Sequence, residues 1–386
     1  MPKQIIKGFI SQIRGVSYKP TDVVDAENGT PIIRANNIQD DGMIYDDLVF
    51  VAQQRIKDNQ LLKKGDIVIC TSSGSKNLVG KATTFSGYKT DMSFGAFCKV
   101  VRISSSSVNP DYIRLFFKSK TYREQISASS TGANINNIKT DHIDNLIINI
   151  PPVETQNIAV RELSTLIKSI SIKKQQLSAL NELVKSRFIE MFGKVPESDY
   201  VTFSDICLKI TDGTHQPPKF AQSGIPFLFV SNVVTNEITY DTQKFISEET
   251  YNELMKRTPI EIGDVLLTTV GSYGHPAVVK SDKKFSFQRH IAYLKPNKEL
   301  VNSVYLHSAI LSNEVQSQIE ERVNGVAQKT LNLGEIKKLR IPIPPLTLQN
   351  EFADFVKLID KSKFIVQKQI DDLQELLDSK MDEYFG

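Results

Sequence analysis

The sequence predicts an α+β chain written twice. Two similar globular domains, each a mixed or antiparallel sheet with helices, are separated by two long helices that form an antiparallel coiled coil, and an internal pseudo-twofold repeat relates the halves. Three observations carry this expectation. The chain repeats itself at half its length. Its apolar residues switch from short β-like runs to heptads at the same point in each half. Pro opens and Gly closes each heptad segment. Residues 132–156 read GANINNIKTDHIDNLIINIPPVETQ and residues 325–349 read GVAQKTLNLGEIKKLRIPIPPLTLQ, an offset of 193 in a chain of 386. At that offset Ile150-Pro151-Pro152 falls on Ile343-Pro344-Pro345, Gln156-Asn157 on Gln349-Asn350, Ser93-Phe94 on Ser286-Phe287, and Phe192-Gly193 on Phe385-Gly386. Upstream the offset drifts, so that Lys64-Gly65-Asp66-Ile67 pairs with Ile262-Gly263-Asp264-Val265.

The expected boundaries are 1–149 for the first domain, 150–193 for the first helix, 194–342 for the second domain and 343–386 for the second helix. Both domains carry short β-like runs, such as Asp66-Ile67-Val68-Ile69-Cys70 and Ile291-Ala292-Tyr293-Leu294, punctuated by Gly, Asn, Asp and Ser clusters. Helical patterns at 110–122 and 302–321 complete the α+β reading. After Pro152, Leu163, Ile170, Leu177, Val184 and Met191 recur every seventh residue, with Leu166 and Leu180 on the second seam. The second half gives Val356, Ile370, Leu377 and Tyr384, with Ile359, Val366 and Leu373 beside them. Lys173, Lys363 and Lys380 interrupt these seams. Pro152 and Pro345 stand where a helix begins, Gly193 and Gly386 where one stops. About 35 residues at ~1.5 Å rise give each helix ~50 Å, too long an apolar stripe to leave unpaired. Under a pseudo-twofold axis the two pack antiparallel, with the globular parts at opposite ends.

Two halves of this size are ordinary domain lengths, and the composition is that of a globular protein. No apolar run approaches the ~18 residues of a membrane span, and MPKQIIKGFI lacks the apolar core of a signal peptide. No membrane partner is expected. Cys70, Cys98 and Cys207 are few and far apart, which fits reduced, buried thiols in a cytoplasm rather than disulfides or a zinc site. Residues 1–193 carry 25 Lys+Arg against 18 Asp+Glu, a net +7, while residues 194–386 carry 22 against 26, a net −4. The helical segment 153–193 has six bases and four acids, and 351–386 has nine acids and five lysines, so the two segments are of opposite sign.

The order of globular domain, long helix, globular domain, long helix resembles the specificity subunit of Type I restriction–modification systems. Ile-Pro-Pro-(x)3-Gln opening each helix is similar to that family's pattern, as are Lys64-Gly65-Asp66 and Ile262-Gly263-Asp264. Asp212-Gly213-Thr214-His215, followed by Pro217-Pro218-Lys219 and Ile225-Pro226-Phe227, resembles the opening of its target-recognition domains. The first half departs there, with Arg14-Gly15-Val16-Ser17-Tyr18 in that place. The resemblance spans essentially the whole chain. It implies a DNA-recognition subunit without a catalytic site. Partners implied are double-stranded DNA, two modification subunits that methylate adenine, and restriction subunits. S-adenosylmethionine, ATP and Mg are implied on those partners, with no cofactor on this chain.

Two recognition domains held apart suit a bipartite target, since half-sites one duplex turn apart lie ~34–36 Å from each other. Base edges are read by donors and acceptors on loops, and phosphates by Lys and Arg. The candidate contacts in the first half are Arg34, Asn36, Asn37, Ser72, Ser73, Ser75, Lys76, Asn77, Asn134, Asn136 and Asn137. In the second half they are His215, Gln216, Lys219, Ser231, Asn232, Ser272, Tyr273, His275, Arg289, His290, Gln328 and Lys329.

Catalytic signatures are lacking. GSKNLVGK at 74–81 has five residues between its glycines and Ala82 after the lysine, so it is not a Walker A loop. Asn109-Pro110-Asp111-Tyr112 resembles the Asn-Pro-Pro-Tyr of amino-methyltransferases, with Asp breaking the motif. Asp264 with Asp282-Lys283-Lys284 has the form of a nuclease triad that the first half does not repeat. His142, His215, His275, His290 and His307 show no paired metal spacing. Two alternatives therefore stand beside DNA recognition: a coiled-coil interaction adaptor without DNA specificity, and a nuclease or methyltransferase with a cryptic site.

Overall fold

The computed structural model describes residues 3–39, 42–74, 78–129, 137–193, 199–325 and 329–386. Its packing falls into two compact units, residues 1–174 with 368–386, and residues 175–367. Each unit mixes helix and sheet. In the first, an antiparallel four-stranded sheet has the order Ile10–Arg14, Cys98–Ile103, Ile67–Cys70, Ala82–Thr84. The strand Ile67–Cys70 is buried on both faces, which is why its four residues are an unbroken apolar run rather than an alternating one. A three-stranded sheet, Val49–Ala52, Gly29–Ile33 and Ser93–Phe94, is antiparallel on one side and parallel on the other. The second unit repeats both. Its four strands run Cys207–Asp212, Ile291–Pro296, Val265–Thr268, Pro276–Val278, and its mixed sheet is Phe245–Ile246, Ile225–Leu228 and Ser286–Phe287. Small two-stranded sheets pair Lys3–Ile5 with Ile147–Asn149, and Tyr200–Thr202 with Arg340–Pro342.

The repeated Gly-Asp elements are turn locks. Gly65 and Gly263 have φ of 93° and 95°, a left-handed conformation that favours glycine. The aspartate that follows folds back to accept from the turn's own backbone: Asp66 from Lys63 N at 2.8 Å, Asp264 from Glu261 N at 2.7 Å. Asp66 is further held by Arg102 at 2.6 Å, and Asp264 by the Tyr293 hydroxyl at 2.7 Å. Burial pushes the Asp264 carboxyl up, against its hydrogen bonds. Asp264 is thus engaged as a buried, tyrosine-bound turn residue at the start of a strand, a structural role in place of the nuclease-like one. Asn109 likewise caps the helix Pro110–Phe116, accepting from Asp111 N at 2.8 Å. All three cysteines are free; Cys70 and Cys98 are buried and Cys207 is half-buried.

The long helices are Val153–Phe192 and Leu346–Phe385, 40 residues each rather than about 35. Each starts on a clamp. Gln156 is buried, accepts from Asn109 N at 2.8 Å and donates to Pro151 O at 2.8 Å. Gln349 accepts from Asn302 N and donates to Pro344 O at the same distances. Asn109 donates to Asn157, and Asn302 to Asn350. Each Ile-Pro-Pro-(x)3-Gln element thus bolts a helix start to the cap of a globular helix.

The two helices pack antiparallel within each unit. In the first, Glu162 accepts from the Tyr384 hydroxyl at 2.9 Å and lies 3.5 Å from Lys380, while Leu163, Ile170, Ile370 and Leu377 are buried and Leu166 and Leu373 half-buried. The interrupting Lys380 therefore makes an ion pair between helices. Phe385 packs on Tyr112 with centroids 4.9 Å apart, and Tyr112 donates to Tyr384 O. In the second unit Phe192 packs on Tyr305 at 4.9 Å, the counterpart pairing, with Tyr305 193 residues after Tyr112 and Phe192 193 before Phe385, and Phe188 meets Phe352 at 5.6 Å. Ile359 is buried there, and Leu177, Leu180, Val184 and Val356 are half-buried. No helix of the described residues is long and apolar enough to cross a membrane.

Candidate nucleic-acid interface

Antiparallel register gathers several loops at one end of each four-stranded sheet. In the second unit Asp212 pairs with Ala292, Thr268 with Ile291, and Leu267 with Pro276. The loops after Asp212, before Ile291 and after Thr268 consequently leave the sheet together. Backbone bonds tie them: Arg289 N to Thr214 O, Thr269 N to His290 O, Leu331 N to Thr269 O and Gly271 N to Lys329 O. His215, Gln216, Ser272, Tyr273, His275, Arg289, His290 and Lys329 belong to these loops. Lys219 is exposed further along the first of them.

Charges hold this end in place. Asp212, nearly buried, is bridged by the Arg257 guanidinium and by His215 Nε2 at 2.8 Å, leaving the imidazole about half exposed. Tyr273 donates to Glu320 at 2.9 Å, and Lys329 stands 3.4 Å from the same carboxylate. Glu320 is held below the usual carboxylate range, first by the Tyr273 hydroxyl. His275 is half-buried, its Nδ1 3.1 Å from Asn236 Oδ1, and burial lowers its pKa. Burial and then Arg289 lower that of His290. Ser272, Gln216 and Arg289 are exposed. The opening 212–219, Arg289-His290 and the glycine loop 271–275 therefore meet at one sheet end; of the residues that orient them, Asp212 belongs to the quoted Asp-Gly-Thr-His motif, whereas Arg257 and Glu320 carry no recognisable pattern.

The first unit builds the same end. Arg14 pairs with Lys99, Cys70 with Cys98 and Ile69 with Ala82. Arg14-Gly15-Val16 takes the place of Asp212-Gly213-Thr214, so the departure in sequence is not a departure in fold. A Cβ on Gly15 would lie 2.0 Å from Gly95 O, and one on Gly213 2.2 Å from Phe287 O; the crossing backbones admit only glycine. The charge reverses, arginine standing where the second unit has aspartate. Ser72 bridges to Asn137, and Ser73 is half-buried beside it. Phe97, at the position matching His290, is 68% exposed. Being apolar, it is not marked by loop polarity, although the 193-residue offset from His290 points to it.

Other candidates lie elsewhere or are differently engaged. Arg34 to Asn37 and Phe229 to Asn232 are matched turns after the central strands of the mixed sheets. Asn37 and Asn232 are corrections: both are buried with their amides occupied. Asn37 Oδ1 accepts from Arg34 N and its Nδ2 donates to Asp46 O; Asn232 does the same with Phe229 N and Asp241 O. They cap turns, and their burial, 0% and 4% exposed, holds them away from a base. Arg34 is bound to Asp47 at 2.7 Å. Their neighbours Asn36 and Ser231 are exposed. Ser75, Lys76, Asn77, Asn134, Asn136 and Gln328 lie outside the described residues. Among the described residues, no three His, Cys, Asp or Glu side chains are grouped to hold a metal ion.

The duplicated architecture has known counterparts. Residues 10–182 and 198–375 each match the Type I restriction modification DNA specificity domain. The chain is 30% identical to the Type I restriction enzyme EcoKI specificity subunit of Escherichia coli K12, over 93% of this chain and 82% of that one. It is also 30% identical to the StySPI specificity subunit of Salmonella potsdam, over 93% and 81%. Among solved structures, the Type-I restriction-modification S subunit from M. genitalium aligns with a TM-score of 0.55 at 13% identity, covering all of this chain and 96% of that one. A chain from a type I restriction–modification complex aligns at 0.54 and 16%, covering 97% of each. With two matches to one domain model and relatives at this identity along nearly its whole length, the chain belongs to the Type I restriction modification DNA specificity family, whose subunits recognise rather than catalyse.

Proposed function

We propose that this specificity subunit reads a bipartite duplex, one half-site through each globular domain, and positions catalytic partners on it. One observation carries the reading: the same loops leave the same end of the same four-stranded sheet in both units, bearing different side chains. A shared scaffold with divergent tips is what two different half-sites require, because phosphate contacts set register while base edges need individually placed groups. The domains proposed are 1–149 and 194–342, with 150–193 and 343–386 as spacers. The contacts proposed are Arg14, Ser72, Ser73 and Asn137 in the first, and His215, Gln216, Ser272, Tyr273, Arg289, His290 and Lys329 in the second. Lys219, Asn36 and Ser231 flank them as phosphate or edge contacts.

The partners proposed are two modification subunits carrying S-adenosylmethionine, and restriction subunits carrying ATP and Mg, acting in the cytoplasm. Adenine methylation on duplex DNA requires the base to leave the stack, so the subunit that fixes register also fixes which adenine is presented. The test is to exchange residues 198–342 for the matching domain of a relative and to map adenine methylation in cells with the modification subunit. One half of the methylated motif should change and the other stay. A change in both halves, or in neither, overturns the reading.

A further inference from the structure

Phe97 sits where exposure makes little sense for folding. It occupies the turn between Ser93–Phe94 and Cys98–Ile103, and the residue is 68% exposed. Its backbone is nonetheless tightly held. The Phe97 carbonyl accepts from Thr71 N at 2.8 Å, Thr71 Oγ1 at 3.0 Å and Ser72 N at 3.1 Å. In the second unit Thr269 N donates to His290 O at 3.0 Å, so the pedestal is repeated and the side chain on it is not. The same sheet end carries polar residues: Ser72, whose N–H donates to the Phe97 carbonyl, Asn137 bridged to Ser72, and Arg14 at the end of the neighbouring strand. Phe97 and Phe364 are the exposed phenylalanines among the described residues, and Phe97 alone is in a globular domain.

An exposed apolar ring on a fixed backbone, at a sheet end that otherwise bears polar residues, suits a polar ligand that carries one apolar feature. In the major groove of DNA that feature is the thymine C5-methyl group. We infer that Phe97 is a specificity-determining residue of the first domain, whose ring packs on a thymine methyl in its half-site. The inference rests on the proposed reading that this sheet end faces DNA. The matched His290 offers a polar ring in the second domain, so the two half-sites are read by different chemistry at one structural position.

The test uses the full chain assembled with its modification subunits, and a duplex carrying the mapped motif. Each thymine of the half-site assigned to residues 1–149 is replaced in turn by deoxyuridine, which removes only the methyl group. One replacement should weaken binding about fourfold, the effect of one buried methyl. Phe97→Ala should lose the same factor on the natural duplex and no longer distinguish thymine from deoxyuridine there. Phe97→Leu should keep part of the distinction, and an unrelated duplex should bind equally to all three proteins. Indifference of the unsubstituted protein to every such replacement overturns the inference. So does a Phe97→Ala loss that is equal on unrelated DNA. If the assembled protein shows no preference for the mapped motif, the proposed function itself fails; preference without a methyl effect sinks only the role of Phe97.

Discussion

Gln156 and Gln349 show how much one side chain can organise here. Each is fully enclosed, and each amide satisfies a globular helix's cap residue and a proline carbonyl at once. A buried donor or acceptor that loses its partner costs about 1–3 kcal/mol, more than the bond itself contributes. Gln349→Ala should therefore lower stability by roughly that amount, read as a shift in the urea midpoint; an unchanged midpoint would dismiss the clamp. The sequence exposed this residue through its repetition. It could not separate Asn36 from Asn37, or Ser231 from Asn232, because neighbours in a turn look alike until folding commits one amide to the backbone.

The long helices are elements whose existence was legible but whose anchoring was not. Heptads announce a helix with an apolar seam, and all fourteen predicted seam residues, Leu163 to Tyr384, are buried or half-buried. Besides the clamps at their starts, the helices are anchored at their C-terminal ends, where Phe385 meets Tyr112 and Phe192 meets Tyr305. Truncating a buried phenylalanine costs about 3–5 kcal/mol. Phe385→Ala should lower amide protection in the helix Pro110–Phe116 and leave Ser303–Ile310 as it was; Phe192→Ala should do the reverse. Equal loss at both sites would contradict the separate packing of the two units.

At the scale of the whole molecule, each long helix contributes residues to both units, and the change of unit falls after Lys174 in one and after Gln367 in the other. Seven residues inserted at both points keep the heptad phase and add ~10.5 Å of helix, equivalent to ~3 base pairs. We expect a longer unread spacer in the methylated motif with both half-site sequences kept. Retention of the original spacer at full activity would move the ruler to the partner subunits. Three base pairs also turn the duplex by ~100°, so reduced activity at the longer spacer is the expected accompaniment.

The sequence by itself determined the duplication, the α+β class, the long helices and the family, because each is recorded in order, period or spacing along the chain. Repeated motifs such as Ile-Pro-Pro-(x)3-Gln survive in sequence because identical backbone geometry demands identical residues. Tertiary structure alone decided which side chains share a surface. The loops at 14–18, 71–73, 97 and 137 are far apart in the chain, and only antiparallel register brings them to one sheet end. It alone showed that the replacement of Asp212-Gly213 by Arg14-Gly15 leaves the fold unchanged, because the constraint there is a crossing of backbones rather than a side-chain pattern. It also set Phe97 apart from the other phenylalanines, since exposure is a property of what the rest of the chain leaves uncovered.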